Sequence, residues 1–312
     1  MRIVIALGGN ALLHRGEALT AANQRHNIKI AVEALAPLAL EHELVITHGN
    51  GPQVGLLALQ DAAMQRELHY PLDVLDAESE GMIGYLIEQE LNNFLPAGYR
   101  CATLLTQTEV DADDPAFQHP SKPIGPVYSD AQARQIAATR GWQMAADGEH
   151  YRRVVPSPRP RRVMELAVIE LLVEQRVIVI CAGGGGIPVV CREDGHLVGV
   201  EAVIDKDLAS SLLARELEAD AFVMLTDVAA VFDRWGEADA RAIRQISARQ
   251  IGDFSFAAGS MAPKVEAACE FVEQCGGFAG IGRLEDVQAV LNSEAGTVIT
   301  RDEANIGWWE NL

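Results

Sequence analysis

Three of the four lysines in this 312-residue chain stand where they could contact an anion. Lys122 lies in a proline-rich segment, Lys206 follows a short β-branched run, and Lys264 stands at the start of a predicted helix. A lysine at a helix N-terminus is electrostatically misplaced unless an anion is near. Phosphoryl transfer uses such cations to neutralise the oxygens of the transferring group. These three are therefore candidate catalytic residues, with a surface charge as the alternative, and Lys29 is assigned to the surface.

Three glycine-rich turns each follow a predicted strand. Their residues are Gly8, Gly9 and Asn10, then Gly49, Asn50 and Gly51, and then 183–186. Successive backbone N–H groups in such turns form a cradle for anions. Ligands of open α/β sheets bind beyond the carboxyl ends of the strands, so the three turns should converge. One turn alone would fit an ordinary strand-to-helix connection, but three together predict phosphate or carboxylate binding. Neither the P-loop nor the dinucleotide spacing of glycines is present.

Two other side chains near these turns have alternative roles. Asp207 could hold Mg²⁺, directly or through water, because Mg²⁺ prefers oxygen ligands. The same residue is equally suited to cap the helix that follows it. His48 opens the second glycine turn, where a structural hydrogen bond is favoured over substrate binding.

The elements that must position these residues alternate along the chain. Continuous apolar runs, typical of strands buried on both faces of a parallel sheet, occupy 3–7, 44–47, 101–105, 177–181 and 221–225. Helical spacing of apolar residues or a helix-start signal marks 20–40, 82–94, 164–174, 207–217 and 263–274. This alternation predicts a three-layer α/β/α sandwich with a mainly parallel central sheet, formed by 1–312 as a single domain.

One segment, residues 111–162, interrupts the alternation. It holds seven of the 13 prolines, begins with acidic residues and ends with basic ones. We predict a small protruding, lid-like subdomain here, and the alternative is a solvated surface loop.

Composition limits the classes of partner. The chain has 25 Lys and Arg against 44 Asp and Glu, a net charge of −19. This charge argues against nucleic acid and anionic membrane surfaces, which need a basic footprint. It still allows a local cationic pocket, because net charge acts at long range. The five cysteines form no CxxC pair, which is typical of reduced thiols. With no signal-peptide core and no membrane-length apolar run, the sequence predicts a cytoplasmic location.

The chain resembles the carbamate kinase family, within the wider amino-acid kinase superfamily. The matching segments are 6–12, 48–55, 80–85, 121–126, 155–158, 183–189, 199–207 and 259–267. They span almost the whole chain. The resemblance implies a homodimer that catalyses reversible, Mg²⁺-dependent phosphoryl transfer between ATP and carbamate, giving carbamoyl phosphate and ADP. It also implies the sandwich fold with a protruding subdomain.

The resemblance further implies roles for individual residues. Substrate and phosphoryl binding falls to Gly8, Gly9, Asn10, Gly49, Asn50 and Gly51. Catalysis falls to Lys122, Lys206 and Lys264. Nucleotide binding falls to Asp207, Thr226 and Lys264, with Asp207 as the possible metal residue. An acceptor half of about 1–205 would face a nucleotide half of about 206–312.

The chain departs from the family pattern at three places. Glu80 stands where Gln is usual, and Val127 stands where an aromatic residue is usual. In the segment 226–231 the acidic residue is Asp227, whereas the family usually has it at position 229. These departures leave two alternatives open: a related kinase with another small carboxylate or phosphate acceptor, or a non-catalytic nucleotide-binding paralogue.

Overall fold

The structure, a computed structural model, describes residues 1–13, 16–64, 69–257, 259–302 and 305–310, without the side chains of Asn10 and Ala11. Its strands are β1 (Arg2–Leu7), β2 (Glu43–His48), β3 (Arg100–Thr103), β4 (Gln107–Val110), β5 (Lys122–Tyr128), β6 (Met144–Asp147), β7 (His150–Val155), β8 (Pro160–Val163), β9 (Val177–Ile180), β10 (Ile187–Cys191), β11 (Leu197–Gly199), β12 (Ala221–Thr226), β13 (Val231–Asp233), β14 (Arg241–Ser247), β15 (Phe278–Arg283), β16 (Thr297–Thr300) and β17 (Gly307–Trp308).

The helices alternate with these strands. They are α1 (Gly9–Leu12), α2 (Ala21–Glu41), α3 (Gly51–Ala63), α4 (Leu72–Phe94), α5 (Asp130–Arg140), α6 (Leu166–Glu174), α7 (Lys206–Glu216), α8 (Ala248–Ile251), α9 (Met261–Cys275) and α10 (Val287–Leu291). In the described ranges, none of them is long and apolar enough to cross a membrane.

The large sheet has the strand order β13-β14-β16-β15-β12-β1-β2-β9-β3, with β17 on the side of β14. Its central strands β12, β1, β2, β9 and β3 correspond to the five predicted apolar runs, and all of them are parallel. Their carboxyl ends therefore lie along one edge, which is the edge that carries the three glycine turns.

Both faces of this sheet are covered by helices. Val4 and Ala6 of β1 pack into a core with residues of α7 and α9. Ile3 and Ile5 pack on the other side, with residues of α2 and α4. Because successive strand residues point to opposite faces, this pattern confirms the predicted three-layer α/β/α sandwich.

Two smaller sheets lie outside the large one. Strands β5, β7 and β6 form a three-stranded antiparallel sheet that carries α5, and β11-β10-β4-β8 form a four-stranded sheet. The first of these meets the sandwich where β5 crosses α3. There a methyl group on Gly55 would overlap the Cα of Gly125, so two backbones are in direct contact.

Some element boundaries differ from the sequence prediction. Helix α4 begins at Leu72, ten residues before the predicted start, while α2, α6, α7 and α9 lie within two residues of prediction at both ends. Helices α3 and α5 and the antiparallel strands β13 and β14 were not predicted.

Candidate active site

The first two glycine turns are in direct contact at the end of the sheet. The Gly8 N–H donates to the carbonyl oxygen of Leu225 at 2.9 Å, and the Gly49 N–H donates to that of Leu7 at 3.2 Å. A methyl group on Gly49 would lie 3.4 Å from the Gly9 nitrogen and 3.5 Å from Cδ of Lys206. Gly9 and the Lys206 stem therefore both border the space beside the Cα of Gly49, which a side chain at that position would fill.

The third turn, Gly183–Gly186, packs against the second turn and the segment before Lys206. Gly184, Gly185 and Gly186 have φ angles of 70°, 102° and 82°, which favour glycine. A side chain on Gly184 would overlap the amide of Asn50, and one on Gly185 would lie 2.9 Å from Cβ of Ile204. The three turns thus form one continuous wall, as expected from their positions at the ends of parallel strands.

The N-terminus of α7 is capped by Asp205. One of its oxygens, Oδ1, accepts from the backbone nitrogens of Asp207 at 2.9 Å and Leu208 at 3.4 Å. The interpretation of Asp207 as the cap is therefore wrong. The other oxygen of Asp205 accepts from Nζ of Lys122 at 2.6 Å. This contact brings the lysine of β5 to the start of α7.

Asp207 instead joins the other two lysines. Its Oδ1 accepts from Nζ of Lys206, and its Oδ2 accepts from Nζ of Lys264 at 2.8 Å. All three side chains are almost fully removed from solvent. Two ammonium groups and one carboxylate leave one net positive charge, which suits the oxygens of a phosphoryl group.

Burial and charge shift the pKa values of this cluster. Burial lowers the pKa of Lys206 to about 8, although Asp207 opposes the shift. Burial also lowers the pKa of Lys264, but contact with Asp207 outweighs it, so the net shift is upward. Burial favours the neutral acid at Asp207, yet the two ammonium groups hold its pKa below the ordinary value. Asp207 is therefore an anion at neutral pH.

The second turn presents backbone, not side chains, to the crevice. The Asn50 amide is buried and donates to Oδ1 of Asp76 at 3.0 Å and to Oγ of Ser79 at 2.9 Å. Its amide group is thus committed to α4, while Gly51 begins helix α3. His48 is also buried, and its Nδ1 donates to the carbonyl oxygen of Gly49 at 3.3 Å, which is a structural arrangement.

The remaining candidates lie beside the Gly8 turn or outside the described atoms. Thr226 ends β12, and its hydroxyl donates to Oδ1 of Asp227 at 3.1 Å. The charge of Asp227 acts on Lys264, so the shifted acidic residue belongs to the same neighbourhood. The side chain of Asn10 lies outside the described part of the structure, although its backbone forms part of α1.

Three contributors to the site were not among the predicted site residues, although Glu80 was noted as a departure from the family pattern. Asp76 and Glu80 are buried on α4 and bind the second and third turns. Ser210 of α7 hydrogen bonds to Thr47 of β2 at 2.6 Å and fixes α7 against the sheet. The i, i+4 spacing of Asp76 and Glu80 was the available signal, because it places two carboxyl groups on one helix face.

The geometry does not fit direct metal ligation by Asp207. Both of its carboxylate oxygens already accept from ammonium groups. No group of three or more His, Cys, Asp or Glu residues that could hold a metal ion occurs among the described residues.

Comparisons with known proteins identify the family of the chain. The sequence model of the amino acid kinase family matches residues 1–277. The carbamate kinase of Rhizobium meliloti (strain 1021) is 56% identical over 310 residues, covering 99% of this chain and 96% of that protein. The carbamate kinase of Haemophilus influenzae is 55% identical over 309 residues, covering 99% of this chain and 100% of that protein.

Solved structures give the same result. The carbamate kinase from Giardia lamblia bound to AMP-PNP is 42% identical, with a TM-score of 0.86 over 96% of this chain and 98% of that one. The same enzyme bound to citric acid has a TM-score of 0.90 with the same coverage. The chain therefore belongs to the carbamate kinase family, within the amino acid kinase family.

Proposed function

We propose that this chain catalyses reversible phosphoryl transfer between ATP and carbamate, giving carbamoyl phosphate and ADP. The observation that carries this proposal is the position of the Lys206 stem beside Gly49, where Gly9 also lies. This position brings a buried cation to two backbone anion cradles, which is the equipment that phosphoryl transfer requires. The named relatives are carbamate kinases and give no support for another acceptor.

Different residues along the crevice bind different parts of the two substrates. Gly8, Gly9 and the start of α1 bind the transferring phosphoryl group, and the turn at Gly49–Gly51 holds the carbamate end. Lys206 neutralises charge on the transferring group in the transition state. On the far side of Asp207, Lys264 binds the nucleotide phosphates, close to Thr226.

Magnesium enters as the complex with ATP or ADP. Since Asp207 is occupied by two lysines, we assign the metal to the nucleotide phosphates and water, an arrangement that Mg²⁺ commonly adopts. Contact through a water remains the proposed role for Asp207 toward the metal. No step of the transfer depends on protein ligation of the ion.

Residues 111–162 act as a protruding subdomain that delivers Lys122. Support comes from the separate sheet of β5, β6 and β7 and from the ion pair between Lys122 and Asp205. The acceptor half of about 1–205 ends at Asp205, which caps the first helix of the nucleotide half of about 206–312.

The lysine of β5 provides a direct test of this role. In the Lys122→Ala variant, we expect the KM for carbamoyl phosphate to rise about 10- to 100-fold, because a charge-assisted contact is lost. The KM for ADP should change little. The matched control is Lys29→Ala, which removes an exposed lysine of α2. Steady-state kinetics with unchanged constants for Lys122→Ala would contradict the assignment.

The assembly and location are part of the same proposal. Strand β3 ends the large sheet, and the exposed side chains of Met82, Tyr85 and Leu105 lie on and beside α4, which packs on β3. This face supports a homodimer, which sedimentation velocity tests. The five free cysteines support a reducing, cytoplasmic location.

The decisive experiment is the reverse reaction. Incubation of the protein with carbamoyl phosphate and Mg²⁺–ADP should yield ATP, measured by a luciferase assay. Absence of ATP at millimolar concentrations of both substrates, with a properly folded protein, would contradict the proposed function.

A further inference from the structure

Helix α4 places two carboxyl groups behind the acceptor end of the site. Asp76 and Glu80 are one turn apart, and both are buried. Asp76 holds the amide of Asn50, and its Oδ2 has no hydrogen-bond partner among the described residues. These side chains do not face the crevice, so they act on it through the turns that they bind.

Glu80 joins two separate chain segments. Its Oε1 accepts from the backbone nitrogen of Gly183 at 2.9 Å, and its Oε2 accepts from that of Thr106 at 3.2 Å. Gly183 lies tightly against both Glu80 and His48, because a methyl group there would overlap the His48 ring and lie 2.9 Å from Cγ of Glu80. Glu80 therefore sets where the third glycine turn begins.

The groups facing Glu80 leave its charge poorly compensated. They are Cys181 at the end of β9, His48 of β2, Asp76 of α4 itself and Glu165 before α6. Burial lowers the pKa of His48 to about 4, so this neighbour is uncharged at neutral pH. Burial, together with the like charge of Glu165, raises the pKa of Glu80 to about 8, against the hydrogen bonds from Thr106 and Gly183.

The charge state matters because the acceptor is an anion. When Glu80 loses its proton, a buried negative charge appears directly behind the turn that begins at Gly183. In a poorly solvated interior such a charge acts over several ångströms and opposes anion binding. The neutral acid keeps its carbonyl oxygen as an acceptor for one of the two backbone N–H groups, and its hydroxyl oxygen as a weaker acceptor for the other, without this repulsion.

We propose that Glu80 is a positioning residue for the acceptor end of the active site, and that it acts as the neutral carboxylic acid. The inference rests on the proposed function, since it concerns the same acceptor. It assigns a specific consequence to the glutamate found at this position: acceptor binding weakens at alkaline pH through a residue that does not contact the substrate.

The test compares Glu80→Gln with the unmodified protein in the carbamoyl phosphate and ADP reaction between pH 7 and pH 9.5. Glutamine is uncharged and keeps an oxygen for Gly183. We expect the KM for carbamoyl phosphate of the unmodified protein to rise about tenfold more over this range than that of the variant. The two KM values should differ least at pH 7, where the acid is mostly neutral, and should diverge as the pH rises. Equal pH dependence of KM in both proteins would overturn the proposal.

Two further variants separate positioning from general structure. Glu80→Leu removes both hydrogen bonds and should raise the KM for carbamoyl phosphate at every pH, with the KM for ADP unchanged. Glu78→Gln removes an exposed carboxyl group of the same helix and should leave the pH profile as it is. A Glu80→Leu variant with an unchanged KM for carbamoyl phosphate would contradict the positioning role.

A readout without turnover distinguishes this proposal from the proposed function. Infrared difference spectra should show a protonated carboxyl band that disappears near pH 8 in the unmodified protein and in Glu78→Gln. Glu80→Gln should lose the part of the band that titrates near pH 8, whereas Asp76, whose pKa burial also raises, keeps its own band in the variant. If the protein makes no ATP but the Glu80-dependent band titrates, the proposed function fails while the neutral Glu80 stands; without a Glu80-dependent band, the proposal fails whatever the activity. If Glu80→Gln does not fold, the same comparison with Glu80→Leu decides.

Protonation of Glu80 should also make the stability of the folded chain depend on pH. The pKa of Glu80 in the folded chain lies above its ordinary value of 4.5, so folding holds a proton that the unfolded chain releases. The stability from this group is complete below pH 4.5 and is lost as pH rises through about 8. The melting temperature of the unmodified protein, relative to Glu80→Gln, should fall across that range.

Discussion

Replacement of Lys206 by alanine should lower kcat by about a thousandfold while leaving the chain folded. The ammonium group is a buried cation whose stem lies beside the Gly49 turn, and its effect is largest when charge develops on the transferring phosphoryl group. The fold should survive because Asp207 keeps Lys264 as its partner. The measurement is kcat in the carbamoyl phosphate and ADP reaction, together with thermal unfolding.

The matched control for this change is Lys29→Ala, whose side chain is exposed on α2. Its kcat and melting temperature should equal those of the unmodified protein. A Lys206→Ala variant that keeps more than a tenth of the original kcat would show that the charge on the transferring group is neutralised elsewhere. In that case Lys264 would be the next residue to examine.

Replacement of Asp207 by alanine should cause the largest loss of stability, about 3–5 kcal/mol, because it leaves two buried ammonium groups facing each other without their anion. Activity should fall as well. The pKa of Lys206 already lies near 8, and it would drop further without Asp207, so Lys206 would be neutral at the pH where the enzyme now works. Residual activity should therefore recover as the pH is lowered.

Denaturant unfolding measures the loss of stability in Asp207→Ala, and a pH profile of kcat measures the recovery of its activity at lower pH. The control Asp113→Asn removes an exposed carboxylate distant in sequence from the cluster. It should change neither the free energy of unfolding nor the pH profile. A stable Asp207→Ala protein with an unchanged pH profile would mean that solvent or another acid replaces the missing carboxylate.

The parallel centre of the sheet could be predicted because its strands are buried on both faces and hence continuously apolar. Strand β14 lacks this signal, since exposed residues interrupt its buried ones. The start of α4 lacks an apolar sequence pattern for a different reason. Its buried face there carries Asp76, Ser79 and Glu80, which bind the glycine turns instead of packing in the apolar core. Apolar periodicity cannot reveal a helix face that is polar for functional reasons.

The site was predictable to a similar degree. Glycine turns and lysines at the ends of elements identified the region of the crevice. The sequence could not show that Asp205 caps α7 while Asp207 binds two lysines, because both residues flank Lys206 and either can cap a helix. What separates them is contact with Lys264, 57 residues further along the chain, and with Lys122 from another sheet. Such assignments depend on tertiary contacts.

The bare backbone contact between α3 and β5 has a consequence for exchanging segments between relatives. Gly55 and Gly125 touch without side chains, and Gly125 also has a φ angle of 72°. A hybrid that receives residues 111–162 from another carbamate kinase can dock only if both partners of this contact lack a Cβ. The two glycines therefore form a matched pair across the junction. They determine which relatives can exchange the segment 111–162.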